Sequence, residues 1–388
     1  MAYTGTAVYS IYTNEIGESV SDTVGLIAPT ETQFLDAIGD ANTPVESKVW
    51  TWLEDAMLPR TYGASSAIAS NAGTSQGIEI GANASYLRKG DILRIEYSGE
   101  QIFVSSVGTS AATIYVTRAY AGTTANSMAA GLAGTATSQI SFLGSAMEEG
   151  AGVRSARRVG KVAKTNYVQV FREDIDVSNL ANNVKFKVPN LPQPYDEEVV
   201  KKTKEVMIQL ENAVVMGRTN SNTIGASDKE TTMAGIYYSI ATNITSHATY
   251  SNSILNEAIA KANAYTDVRA NLSDYHLFAG DKAYRLISNS RTSSIRTTID
   301  EAQAGVRAPN LVWTDYGEMP LSYVRALPSG TVLAIKKSLV QVRPYRGNDF
   351  ATRSYDLGSL TKTGYVAGTY TVEFQQETAH ARLDGLAA

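Results

Sequence analysis

Apolar positions recur along this chain with two different periods, and the change from one to the other divides it into segments. The helical period is clearest over residues 195–216, where Val199, Thr203, Val206, Leu210 and Ala213 form one stripe, widened by Val200, Met207 and Val214. On the outside Glu197 can pair with Lys201, and Glu198 with Lys202. Pro192-Gln193-Pro194 introduces this helix and Gly217 stops it. At 1.5 Å per residue it spans roughly 33 Å, enough to run along a whole domain.

The period-two pattern dominates residues 77–142. Leu93, Ile95 and Tyr97 share one face while Arg94 and Glu96 take the other, and Ser98-Gly99 turns the chain. Ile102 and Val104 follow, then, after Gly108-Thr109-Ser110, Ile114 and Val116. The pattern predicts a meander of three or four strands, a compact β insertion, and then a Gly, Ala, Ser and Thr-rich loop over residues 122–137. Later segments mix the two periods. A helix is expected over residues 252–265 (Leu255, Ala258, Ile259, Ala262), a strand at His276-Leu277-Phe278, a helix over 282–293, and strands at 311–313 and 332–335. Near the end Tyr370, Val372 and Phe374 alternate with Thr371, Glu373 and Gln375, which predicts a half-buried strand. The fold class is α+β.

The first sixty residues carry short apolar clusters, Phe34-Leu35 and Trp50-Thr51-Trp52-Leu53, between turn residues. They read as an extended arm that buries Phe34, Trp50 and Trp52 against the rest of the molecule or against neighbours.

Composition narrows the function. At 388 residues two compact domains are expected, and a net charge of -4 with 19% charged residues argues against a dedicated nucleic-acid reader, leaving at most sequence-blind contact with DNA. With no cysteine, disulfides, thiolate metal sites and thiol nucleophiles are excluded. The first twenty residues lack the basic start and apolar core of a leader, and no stretch approaches a membrane span, so the chain is expected in the cytosol without membrane contact. The three sequons, at Asn83, Asn243 and Asn271, are therefore read as chance.

The three histidines, His247, His276 and His380, form no local zinc motif, and no nucleotide loop or nucleophile elbow occurs. Of the acidic clusters, Asp196-Glu197-Glu198 sits at a helix start, where the dipole favours carboxylates, and Glu148-Glu149 precedes a glycine-rich hinge. Arg154, Arg157, Arg158, Lys161 and Lys164 form a basic run that suits either DNA phosphates or salt bridges between subunits. The expectation is a non-enzyme with no cofactor and no metal.

Several stretches, in their order, resemble the major capsid proteins of tailed phages with the Hong Kong 97-type fold. Pro29-Thr30-Glu31-Thr32-Gln33-Phe34-Leu35 and Trp50-Thr51-Trp52-Leu53-Glu54-Asp55 are similar to the family's arm, and Val116-Thr117-Arg118-Ala119-Tyr120-Ala121-Gly122-Thr123-Thr124 to its β insertion. Thr165-Asn166-Tyr167-Val168-Gln169-Val170-Phe171-Arg172-Glu173-Asp174, Gln209-Leu210-Glu211-Asn212-Ala213 and Tyr370-Thr371-Val372-Glu373-Phe374 carry the rest. The resemblance implies an N-terminal arm (1–60), an extended loop (61–160) bearing the insertion, and a peripheral domain (161–223) with a spine helix. It further implies an axial domain (224–340), a return to the peripheral domain (341–375), and a terminal segment (376–388) shared with the axial domain.

By the same resemblance the chain would self-assemble into hexamers and pentamers of a phage head around double-stranded DNA, with a portal protein and scaffolding or cement proteins as further partners. Phe34, Trp50, Trp52, Arg118, Tyr120, Glu148, Glu149, Arg154, Arg157 and Arg158 are the candidate self-association residues. Lys89 is a candidate cross-linking lysine by position alone. Two alternatives stay open: an encapsulin-like compartment shell, and a glycan-binding or depolymerising tail protein, against which the lack of repeats and paired carboxylates counts.

Overall fold

The computed structural model describes residues 32–39, 43–70, 76–108, 112–128, 139–152, 156–183, 193–220, 230–292, 311–355 and 360–387. The chain divides into two units, residues 53–162 and residues 1–52 together with 163–388.

The first described element of the larger unit is a short helix, α1 (Gln33–Ile38), ended by Gly39 at φ +74°. A strand, β1 (Val49–Glu54), follows it.

The smaller unit is built on one antiparallel sheet. Its strands are β2 (Thr61–Gly63), β3 (Gln76–Glu79), β4 (Asp91–Ile95), β5 (Gln101–Val107), β6 (Thr113–Tyr120) and β7 (Gln139–Ser145), in the order β2-β7-β4-β5-β6-β3. Alternation places Leu93, Ile95, Ile102, Val104, Ile114, Val116 and Ile140 on the inner face, all fully buried. The sheet is wider than the expected meander. Thr61-Tyr62-Gly63 is too short to show a period, yet it pairs with β7 and buries Tyr62. Gly99 makes the turn after β4 at φ +70°, and Tyr97, expected on the inner face, is exposed because the strand has ended.

The larger unit resumes with β8 (Val162–Tyr167), which pairs with β1 in a two-stranded ribbon. Then come β9 (Gln169–Ser178), α2 (Asn179–Asn182), α3 (Pro194–Met216), α4 (Ile236–Ser239), β10 (Ile244–Ser246), α5 (Asn252–Asn263), β11 (Tyr275–Ala279) and α6 (Asp281–Thr292). The remaining strands are β12 (Leu311–Thr314), β13 (Gly317–Tyr323), β14 (Val332–Lys336), β15 (Val340–Pro344), β16 (Ala351–Tyr355), β17 (Thr361–Phe374) and β18 (Ala381–Asp384).

Two sheets organise this unit. In the first, β17 is central: it pairs antiparallel with β9 on one side and with β15 and β16, end to end, on the other. α3 covers the face that presents Val366, Tyr370, Val372 and Phe374. The second has the order β10-β18-β14-β11-β13-β12. Its Tyr275, Leu277, Ala279, Val332 and Ala334 pack with Leu255, Ala258, Ile259 and Ala262 of α5 and with Ala283 and Ile287 of α6. Phe278, Leu333 and Ile335 turn to the opposite face and share a core with α3. Burial on both faces explains the near-continuous apolar runs of β11 and β14.

Two expectations are corrected. The last long strand is not half-buried: Thr371 and Glu373 on its outer face are buried as well, because residues 43–50 and Tyr167 cover them. The buried stripe of α3 is Tyr195, Val206, Leu210, Glu211, Val214 and Val215, whereas Val200 and Met207 are exposed. Glu197 does pair with Lys201 at 2.8 Å, but Lys202 bonds Glu205 and Glu173 in place of Glu198. Gly217 ends α3 for a reason of space: a Cβ there would lie 2.4 Å from the Ala213 carbonyl oxygen and 2.7 Å from that of Met233.

Candidate assembly surfaces

The candidate association residues fall into two classes, those consumed by the subunit itself and those left on its surface. Phe34 belongs to the first. It is fully buried with its ring 4.6 Å from that of Phe278, in the core shared by α3 and the second sheet, and so cannot reach a neighbour.

Trp50 is also held within the chain. Its Nε1 donates to Glu373 at 2.8 Å, and the Arg343 guanidinium lies over its ring at 4.9 Å. Arg343 pairs with Glu373 and donates to the Thr43 carbonyl, while Val45 bridges Tyr345, so residues 43–50 are fastened across the outer face of β15 and β17. This network neutralises Glu373, a carboxylate whose burial would otherwise be costly. Trp52 is half-buried on the same ribbon.

Arg118 is corrected in the same way. Its guanidinium and the Glu100 carboxylate are fully buried and bonded twice, at 2.6 and 2.7 Å. Arg118 also donates to Gln76 and to the carbonyls of Ala69 and Asn126, and Glu100 accepts the N–H groups of Ala119 and Asn126. Burial pushes the Glu100 carboxyl up, but Arg118 and those two N–H donors outweigh it and hold the group below its ordinary range. The pair pins two loops to the small sheet. Arg157 is likewise engaged, bonded to Asp91 at 2.6 Å and to the Tyr86 carbonyl, over the Phe142 ring. Neither DNA nor a neighbour is needed to satisfy it.

The second class remains at the surface. Tyr120 is half-buried and stacks on Phe103 at 5.2 Å. Glu148 and Glu149 are exposed, and Glu148 lines a groove of about 310 Å³ with Arg88, Lys89 and Phe103. Arg158 is exposed beside Lys161 in a groove of about 620 Å³ shared with Asp55 and Leu58. Arg154 lies outside the described residues. In the same stretches Leu53 is 66% exposed, Met57 94% and Val162 54%, and β8 is exposed over four consecutive residues. Leu53 closes the apolar Trp50-Thr51-Trp52-Leu53 cluster, but nothing in the sequence marked Met57 or Val162, since a lone apolar residue carries no period.

Among the described residues no group of three His, Cys, Asp or Glu side chains could hold a metal, and no described helix is long and apolar enough to cross a membrane. His276 stacks on Phe278 and His380 lies tilted against Phe374; burial is the largest influence on each and pushes it down to about 4, helped by Lys337 at His276 and opposed at His380 by the Gln375 backbone. His380 accepts the Lys336 N–H on Nδ1 and faces the Gln375 carbonyl with Nε2, the pattern of a neutral ring. Asn243 of one sequon is buried and donates to the Thr378 and His380 carbonyls, a structural role.

The profile of a family described as SU10 major capsid protein matches residues 2–387. The chain belongs to the SU10 major capsid protein family. No curated protein sequence matches it. Among solved structures, the capsid protein of a native GTA particle is similar at TM-score 0.55 and 9% identity, over 100% of both chains. That of the Myoviridae phage XM1 is similar at TM-score 0.50 and 11% identity, over 99% of this chain and 100% of the other. Both carry the fold that the sequence resemblance implied, and the capsid subunit has the Hong Kong 97-type α+β fold. A match to the holo-SrpI encapsulin of Synechococcus elongatus PCC 7942, at TM-score 0.42 and 11% identity over 58% of this chain and 78% of the other, is too weak to favour the compartment alternative. The subunit is a structural capsid protein of the virion that self-assembles into shells, and is not an enzyme.

Proposed function

We propose that the ribbon of β1 and β8, continued by residues 53–58 and 156–161, is the principal contact between subunits in the hexamers and pentamers of the head. The observation that carries this is the exposure of Leu53, Met57 and Val162 along and just beyond a ribbon whose two strands pair with no other strand among the described residues. Two strands alone are marginally stable in water, and each apolar side chain covered by a neighbour contributes about 1.5–3 kcal/mol. The half-buried Trp52 lies within the ribbon and the exposed Arg158 within its continuation, where they add contacts at the rim.

In this reading residues 53–162 act as the extended loop with its β insertion, α3 as the spine of a peripheral domain, and the six-stranded sheet with α5 and α6 as the axial domain. The closed shell holds double-stranded DNA through sequence-blind contacts, meets a portal protein at one vertex with scaffolding or cement proteins as further partners, and is built in the host cytoplasm. The test is the triple variant Leu53→Glu, Met57→Glu and Val162→Glu. It should stay folded by circular dichroism while electron micrographs show no closed particles and DNA loses nuclease protection. Normal shells from this variant would remove the ribbon from the assembly mechanism.

A further inference from the structure

The core of the larger unit contains one carboxylate that no cation pairs with among the described residues. Glu211, on the inner face of α3, is 4% exposed and sits between Leu210 and Val214. Its Oε2 accepts the backbone N–H of Phe34 at 3.2 Å, and the nearby Leu35 N–H also bears on the carboxyl. These donors belong to the first turn of α1, which Thr32 leaves without a side-chain cap of its own. α3 therefore caps a helix 177 positions away in sequence, and the cap sits beside the Phe34 ring that fills the core.

We propose that α1 is a pH-gated strap, seated most tightly on α3 while Glu211 is protonated and loosened as Glu211 ionises. An ionised carboxylate in an apolar core is costly, and lifting α1 opens it to water. Burial is the largest influence on Glu211, pushing it up to about 7; the Phe34 and Leu35 N–H groups pull the other way, and Asp36 of α1 pushes it up further. Behind Phe34 and Phe278 stands His276, which shares a cavity wall with Gln33; held at about 4, it stays uncharged as Glu211 titrates. The other buried members of this core cluster are apolar or, as Tyr195 and Tyr370, uncharged.

The sign follows from linkage. Seating raises the Glu211 pKa above its ordinary 4.5, so seating is strongest below pH 4.5 and weakens as pH rises through 7. The seating constant should fall about 30-fold between pH 5.5 and 8.5, levelling off above pH 7. The inference does not rest on the ribbon contact and can fail independently of it.

The experiment is hydrogen exchange on the full-length, unassembled chain, with protection factors for the Phe34 and Leu35 amides corrected for intrinsic rates. In the wild type these should fall about 30-fold over that range while the Ile102 amide in the smaller unit does not change. Glu211→Gln should abolish the pH dependence, and Asp36→Asn should move the levelling point to lower pH. A flat wild-type profile, an equal fall in Glu211→Gln, or an unmoved levelling point in Asp36→Asn would each overturn the strap.

Discussion

Replacing Phe34 with alanine asks whether the N-terminal segment belongs to the core or to an interface. Phe34 is fully buried, and its ring lies 4.6 Å from Phe278. A phenylalanine buries at least about 150 Å², which at about 25 cal/mol per Å² is roughly 4 kcal/mol, and measured Phe→Ala costs in cores span about 3–5 kcal/mol. The assay is unusually clean because Trp50, Trp52 and Trp313 are the three tryptophans of the chain and all fall in the larger unit. Tryptophan emission in urea therefore follows that unit alone. With a slope of about 2 kcal/mol per M, the midpoint should drop by roughly 1.5–2.5 M. A variant that melts like the wild type but fails to assemble would place Phe34 at an interface and refute the core assignment. The same geometry predicts that removing residues 1–40 destabilises the larger unit, because the deletion takes Phe34 out of its core.

Further outcomes follow from particular side chains. Leu210→Asp places a charge in the buried stripe of α3 and should unfold the larger unit, at a cost of several kcal/mol, whereas Val200→Asp on the exposed face should leave its urea midpoint nearly unchanged. Arg118→Met leaves the Glu100 carboxylate buried and unpaired and should cost the smaller unit about 3–5 kcal/mol, while the double variant Arg118→Met, Glu100→Leu should cost less; calorimetry that finds the double variant worse would deny the pairing. His380, pushed down from 6.5 to about 4, gives stability that is complete above pH 6.5 and is lost as pH falls to 4, by about 3 kcal/mol. Urea midpoints measured across that window should fall less steeply in His380→Gln than in the wild type.

The candidate surface was only partly legible in the sequence. Phe34, Trp50 and Arg118 were large or charged residues without sequence-local partners, which is equally the mark of an interface and of a long-range internal contact. Their partners Phe278, Glu373 and Glu100 lie 244, 323 and 18 positions away, and no period links them. Glu211 could have been found: it lies four residues before the buried Val215 and next to Leu210, a polar residue on an apolar stripe.

What the sequence determined by itself was the set of elements, because period and caps are local. The long helix, the alternating strands of the smaller sheet and the apolar runs of β11 and β14 each follow from neighbours within a few residues. The tertiary structure decided which face of α3 turns inward, since two adjacent stripes were both apolar enough and the choice depends on what packs opposite. It also decided that β17 is buried on both sides. Alternation showed one apolar face, but whether the polar face meets water depends on residues 43–50 arriving from the far end of the chain to pair Trp50 and Arg343 with Glu373.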